Sequence, residues 1–252
     1  MKTALHIAAT ALAAGIFTGT TGMTEAADIK VMASAAFKEA YLELVPQFER
    51  SSGHKVVTLF VPSVDMMVRL KGGEQTDLVI MSRQSIDQLT DAGRIVPGGR
   101  TDLAKSGIGI GIRKNAPKPD ISSSDAFKRA LLAAKSIAYS TGPSGVYLAG
   151  LFQRMGIADE LKSRIKVVKG EPVGAVVARG EAEIGFQQVS ELLPVAGIDF
   201  LGPLPADIQQ ITTFSAGLSV NAKEAEAAKT LVKFLTAPAA APVIRSKGME
   251  PG

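Results

Sequence analysis

Apolar positions along the chain fall into short runs that switch between two periods. Ile29-Lys30-Val31-Met32 reads as a strand, the small residues Ala33 to Ala36 follow, and Phe37, Tyr41, Leu44, Val45 and Phe48 then recur at helical spacing. That spacing predicts a helix over 37–50 with one buried face, kinked at Pro46 and ended by Ser51-Ser52-Gly53. Lys55 to Phe60 predicts a second strand. Met66, Met67 and Leu70 mark a helix that stops at Gly72-Gly73, Leu78-Val79-Ile80-Met81 a buried strand, and 85–92 a third helix. Strand and helix alternating at this spacing argue for a parallel sheet covered by helices, and such sheets take ligands at the carboxyl ends of their strands. Ser34, Ser63 and Arg83, which follow the three strands, are the first site candidates.

Ile108 to Arg113 alternates isoleucine with glycine, which leaves one strand face bare and reads as a crossover strand. After the Pro-rich break at 115–120 the pattern restarts: helix 124–134, strand 136–139, loop 140–145 and helix 146–155. A helix over 158–163, strand 165–168, helix 173–180 and strand 182–186 follow, with a helix start at Ser190. From Phe200 the chain returns through Gly202-Pro203-Leu204-Pro205 to a strand over 212–220 and a helix over 223–236. Two α/β units in tandem, with the C-terminal elements completing the first, predict two lobes, two crossings and a cleft. The expected division is 27–112 with 206–252 as one lobe and 113–205 as the other.

The first residues modify this picture. Lys2, the Ala-rich apolar run Ala4 to Phe17 and the small residues Thr24 and Ala26 read as a secretory signal peptide cleaved near Ala26, and the run is too short to span a bilayer. Export without any cysteine means that the core alone stabilises the fold, which suits a bacterial periplasm. The net charge of +4 is spread without basic runs or interleaved aromatics, so nucleic acid is a poor partner, while an anionic solute is compatible. Past the leader His54 stands alone among histidines, so zinc spacings and Cys/His catalysis are excluded and no metal or other cofactor is expected. Thr141 to Gly145 lacks the Lys-Ser/Thr ending of a phosphate loop.

An anion between two lobes needs donors at strand ends and helix starts, where backbone N–H groups carry partial positive charge. Ser34, Ser63, Ser144 and Gly145 all precede predicted helices, although serine is favoured at such positions as a cap alone. A carboxylate would add a demand for cations, which Arg83 and Lys169 could meet from strand ends. Gln187 and Gln188 are a polar pair after an apolar strand, and Tyr147 is a donor or a packing residue.

The order of elements and several phrases resemble the type II periplasmic binding proteins, and among them the molybdate-binding family. These phrases include Phe48-Glu49-Arg50-Ser51-Ser52-Gly53, Asp77-Leu78-Val79-Ile80, Ser144-Gly145-Val146-Tyr147-Leu148-Ala149 and 178–185. The resemblance implies a two-lobed α/β fold with a mostly parallel sheet flanked by helices in each lobe. It also implies a small anionic solute, an ABC-type membrane permease as partner and a monomeric binder. The molybdate binders hold their oxyanion with two serine hydroxyls, backbone amides and a tyrosine. Here the first serine position falls at Ala36, two residues after Ser34, the second near Ser63, and the tyrosine position is taken by Gln188. Lys247-Gly248-Met249-Glu250-Pro251, with Phe37-Lys38 and 202–205, resembles a subgroup that includes an aconitate isomerase. A proton shift of that kind would need one positioned base, with Lys169, Lys38 and Tyr147 as candidates.

Overall fold

The computed structural model describes residues 26–252, so the leader expected over 1–26 lies outside the described residues except for Ala26. Strand β1 (Asp28–Ala33) leads through a 3-10 turn (Ala35–Phe37) into α1 (Lys38–Ser52), which is continuous across Pro46. The helix runs unbroken through Pro46, which sits on the exposed face, where the carbonyl of Leu42 can be hydrated in place of its lost partner. Gly53, at φ 77°, closes α1 in the left-handed conformation that glycine adopts without strain. Then come β2 (Lys55–Phe60), α2 (Ser63–Lys71), β3 (Leu78–Ser82), α3 (Arg83–Asp91) and a long strand β4 (Ile95–Ser106).

After β4 the chain enters β5 (Ile108–Arg113), α4 (Ser124–Ala133), β6 (Ile137–Ser140), α5 (Pro143–Arg154) and α6 (Ala158–Leu161). It continues through β7 (Ile165–Val168), α7 (Val173–Ala178), β8 (Ile184–Gln188), α8 (Val189–Leu192) and β9 (Ile198–Pro203). The return consists of β10 (Thr212–Ser219), α9 (Ala225–Leu235), α10 (Ala241–Ser246) and β11 (Glu250–Pro251).

Among the described residues the strands form two sheets, in the orders β11-β4-β10-β3-β1-β2 and β7-β6-β8-β5-β9. Each has the expected parallel part, β3-β1-β2 in one and β7-β6-β8 in the other. The remaining pairings are antiparallel, so the sheets are mixed instead of mostly parallel: β10 runs between β3 and β4, and β5 between β8 and β9, as strands of a chain passing back between lobes must. The expected boundary after Ile112 is corrected as well, because β5 belongs to the second sheet and the crossing falls at Gly107. Its glycines permit this. A Cβ at Gly109 would sit 2.6 Å from the Phe200 ring and 3.2 Å from Leu192, so side chains of β9 and α8 occupy the bare face.

The apolar interiors are separate. One gathers Phe37, Tyr41, Phe48, Ile80, Phe214 and Leu231 around α1 and α9, and another gathers Ile110, Phe127, Phe152 and Phe186 around α4 and α5. Two cores joined by two crossings can rotate against each other without exposing either interior.

Candidate functional site

In the first sheet β1, β2 and β3 are parallel, so Ser34, Ser63 and Ser82-Arg83 emerge at one edge. In the second, β6, β7 and β8 are parallel, so Ser140, Lys169 and Gln188 emerge at one edge likewise. A buried hydrogen bond joins the two edges: the Ser190 hydroxyl of α8 donates to the carbonyl of Ala36 at 2.7 Å. The strand-end edges therefore face each other at the turn that follows β1.

Ser34 lies two residues from that contact. Its N–H donates to the carbonyl of Ile80 at 2.9 Å, which fixes the backbone, and it makes no cap bond to the turn it begins. Its Oγ is buried and has no hydrogen-bond partner among the described residues. A buried hydroxyl left in this condition costs roughly 1–3 kcal/mol, so a native chain that keeps one calls for an explanation.

The other candidates divide into those open to a ligand and those already engaged. Ser63 begins α2, half-buried. Ser144 and Gly145, expected in a loop, lie inside the first turn of α5, because Pro143 fits the first helical position and starts the helix earlier than the apolar pattern shows. Both are buried, and the Ser144 hydroxyl makes no side-chain hydrogen bond among the described residues. Lys169 is exposed, while the Lys38 ammonium lies 5.4 Å from the centre of the Phe60 ring; neither forms an ion pair among the described residues. The contact of Ala36 is its carbonyl, which the second lobe uses.

Arg83 is engaged. Its guanidinium pairs with Asp102 on β4, which also accepts from the Ser215 hydroxyl at 2.7 Å. Burial alone would raise the Asp102 carboxyl, but hydrogen bonds from Ser215 and Arg83 and the charges of Arg83 and Arg100 hold it below the usual carboxylate range. The Tyr147 hydroxyl donates to the carbonyl of Ile208 at 2.8 Å, and the Arg154 guanidinium covers its ring at 5.2 Å. The Tyr147 hydroxyl proton and one face of its ring are thus engaged within the protein.

Gln187 and Gln188 are buried strand residues whose side chains are bonded within the protein. Carbonyls only accept, which places the Gln188 amide nitrogen toward Ser106 O at 3.1 Å and Gly107 O at 3.2 Å and its oxygen toward the Thr212 hydroxyl at 3.2 Å. Gln188 therefore spans both crossings at the point where they leave the first sheet. Gln209 completes the clamp by bonding the N–H and C=O of Ile108 at 2.8 and 2.9 Å. Ser190, Gln209 and Thr212 had no signal in the sequence beyond the helix start at Ser190, since their partners lie far away along the chain.

Glu191, next to Ser190, is half-buried. It accepts from Gln187 Nε2 at 2.7 Å. Burial pushes its carboxyl up to about 7 against the hydrogen bonds from Gln187 and the Gln188 backbone, which pull it down. A carboxyl raised above its unfolded value binds more protons when folded, so its contribution to stability is favourable at low pH and is lost as pH rises from the unfolded value through 7. The ligand-free protein is expected to lose about 1–2 kcal/mol between pH 5 and pH 8 from this group, and Glu191→Gln to remove that part of the slope in urea titrations. An unchanged slope would place the pH dependence elsewhere. Among the described residues no group of three or more His, Cys, Asp or Glu is placed to hold a metal ion.

The molybdate-binding protein ModA of Azotobacter vinelandii is 25% identical over 233 residues, covering 89% of this chain and 90% of that one. The solved structure of the periplasmic molybdate-binding protein of that organism superposes with a TM-score of 0.74 at 21% identity, covering 89% of this chain and 99% of the other. An aconitate isomerase from a Pseudomonas species is 38% identical over 229 residues, covering 88% of this chain and 87% of that one. The family model for bacterial extracellular solute-binding proteins matches residues 29–250. With two sheets flanked by helices, strand-end edges facing across a jointed crossing and a family match over almost every described residue, the chain belongs to the bacterial extracellular solute-binding protein family.

Proposed function

We propose that this chain is the extracytoplasmic binding component of an ABC-type transporter and closes its two lobes on a small carboxylate anion. The observation that carries the reading is the buried, unpartnered Ser34 hydroxyl at the facing strand-end edges. A ligand oxygen there would satisfy it. Ser63, Ser144 and the N–H groups that open α2 and α5 are the further donors, and Lys38 and Lys169 are the candidate cations, neither in an ion pair among the described residues. Carboxylate is favoured over a molybdate-like oxyanion because Gln188, at the position where the molybdate binders have a tyrosine, spends its amide on the crossings. In this reading residues 1–26 are removed on export, the protein works in the periplasm as a monomer, and it delivers its solute to a membrane permease.

A second reading has one observation in its favour: the 38% identity to an aconitate isomerase over most of both chains. There the same cleft would hold a tricarboxylate while a proton moves between two carbons.

A melting screen over molybdate, tungstate, sulfate and di- and tricarboxylates tests the first reading. A carboxylate at a hundredfold excess over its Kd adds about 2.7 kcal/mol, which raises Tm by roughly 5–10 °C in a protein of this size. No shift with any anion would sink it. Incubation with trans-aconitate, followed by measurement of the cis isomer, separates binder from isomerase.

A further inference from the structure

Within the four residues of α8, Ser190 reaches across to Ala36 and Glu191 turns back toward β8 and the start of α7. A chain of hydrogen bonds orients this carboxyl. The Val173 N–H donates to Gln187 Oε1 at 2.8 Å, and Gln187 Nε2 donates to Glu191 Oε1 at 2.7 Å. An N–H can only donate, so the amide of Gln187 has one possible orientation and Glu191 Oε1 accepts from it, while the Gln188 backbone hydrogen-bonds the same carboxyl.

The elements packed around α8 bring no charge to this carboxyl. β8, α7 and the 3-10 turn after β1 contain no titratable side chain, and Arg113, at the far end of β5, lies against Gly180. Among the flanking charges Glu171 is paired with Arg179, Lys247 with Glu43 and Arg245 with Glu250. Lys38 lies over Phe60, and Lys169 is exposed. Glu191 is thus a carboxyl with amide partners only, one residue from the buried contact that joins the strand-end edges.

We infer that Glu191 lines the inter-lobe site and takes up a proton from solvent when an anion enters, so that the solute is carried as an anion together with its compensating proton. The inference rests on the anion reading above. An ionised carboxylate beside an anion in a site closed to water is repelled, and its protonation removes the repulsion. Because burial already pushes this carboxyl up to about 7, the proton is exchangeable near neutrality.

Isothermal titration of the mature chain with trans-aconitate and with molybdate, each in phosphate and in Tris at pH 7.5, counts the protons exchanged on binding. The wild type, whose Glu191 is about a quarter protonated at pH 7.5 before binding, is expected to take up about half to three-quarters of a proton, and its Kd to weaken by up to about tenfold per pH unit above 7.5. Glu191→Gln, which keeps the shape and removes the ionisable group, is expected to bind without proton uptake and with a flat pH profile. Binding by the wild type with no proton exchanged, or the same uptake in the variant, overturns the inference and leaves the anion reading standing. If neither probe binds, the anion reading itself falls. Should the variant fail to fold, the Glu191 carboxyl carbon signal of labelled wild type decides: a titration midpoint that rises with bound probe supports the inference, and one that stays overturns it.

Discussion

Replacing Gly145 with alanine is expected to lower the unfolding free energy by about 3 kcal/mol and to disable ligand binding in whatever folded protein remains. In an exposed helix the same change stabilises by up to about 1 kcal/mol, since alanine is the better helix former. Here the clash wins. A Cβ at position 145 would lie 1.6 Å from the carbonyl oxygen of Ser140 and 2.8 Å from its carbon, and these are main-chain atoms ending β6, held by pairing with β7. A flexible side chain could move aside, whereas this carbonyl can move only if α5 or the end of β6 is displaced. That displacement shifts Ser144 and the N–H groups at the helix start. Gly150 provides a control within α5, because its Cβ would meet only the mobile end of Arg154 at 3.2 Å. Gly150→Ala is expected to leave stability unchanged or raised by about 0.5–1 kcal/mol. Urea denaturation of both variants measures the difference, and equal midpoints would remove the close approach as the reason for glycine at 145.

In the parallel part of each sheet one strand, β3 or β8, was legible because it is buried on both faces and opens as an apolar run. Leu78 to Met81 is such a run, and β3 is buried throughout. β4 was not legible: Pro97-Gly98-Gly99 interrupts it, its exposure follows no period of two, and its pairing with β10 contains register shifts. β9 was hidden for a related reason, as an edge strand that is only half covered and ends in Gly202-Pro203. The site shows the same division. Strand ends mark Ser34, Ser63 and Lys169 as candidates, since chain order alone places them there. Whether a side chain is free is decided by residues distant in sequence, such as Asp102 for Arg83, Ile208 for Tyr147 and Thr212 for Gln188, and no local pattern reports those.

This distinction between free and engaged groups gives the site its sharpest test, in the Ser34 hydroxyl. Ser34→Ala is expected to leave the ligand-free protein as stable as before or more stable by about 1 kcal/mol, because the change removes a buried polar atom with nothing to bond. Affinity for the anion is expected to fall by ten- to a hundredfold, the loss of a hydrogen bond to a charged group worth about 1.5–3 kcal/mol. Tyr41→Phe is the contrasting control. Its hydroxyl is equally enclosed but bonded to the Thr58 hydroxyl at 2.6 Å, so its removal should cost about 1 kcal/mol of stability and leave affinity unchanged. A hydroxyl that serves the fold loses stability when deleted, and one held for a ligand loses affinity alone. Melting curves and titration calorimetry on the two variants read these quantities separately. A Ser34→Ala protein that is clearly destabilised and binds as tightly as wild type would mean that the hydroxyl serves the fold, and the reading of the facing strand ends as an anion site would lose its main support.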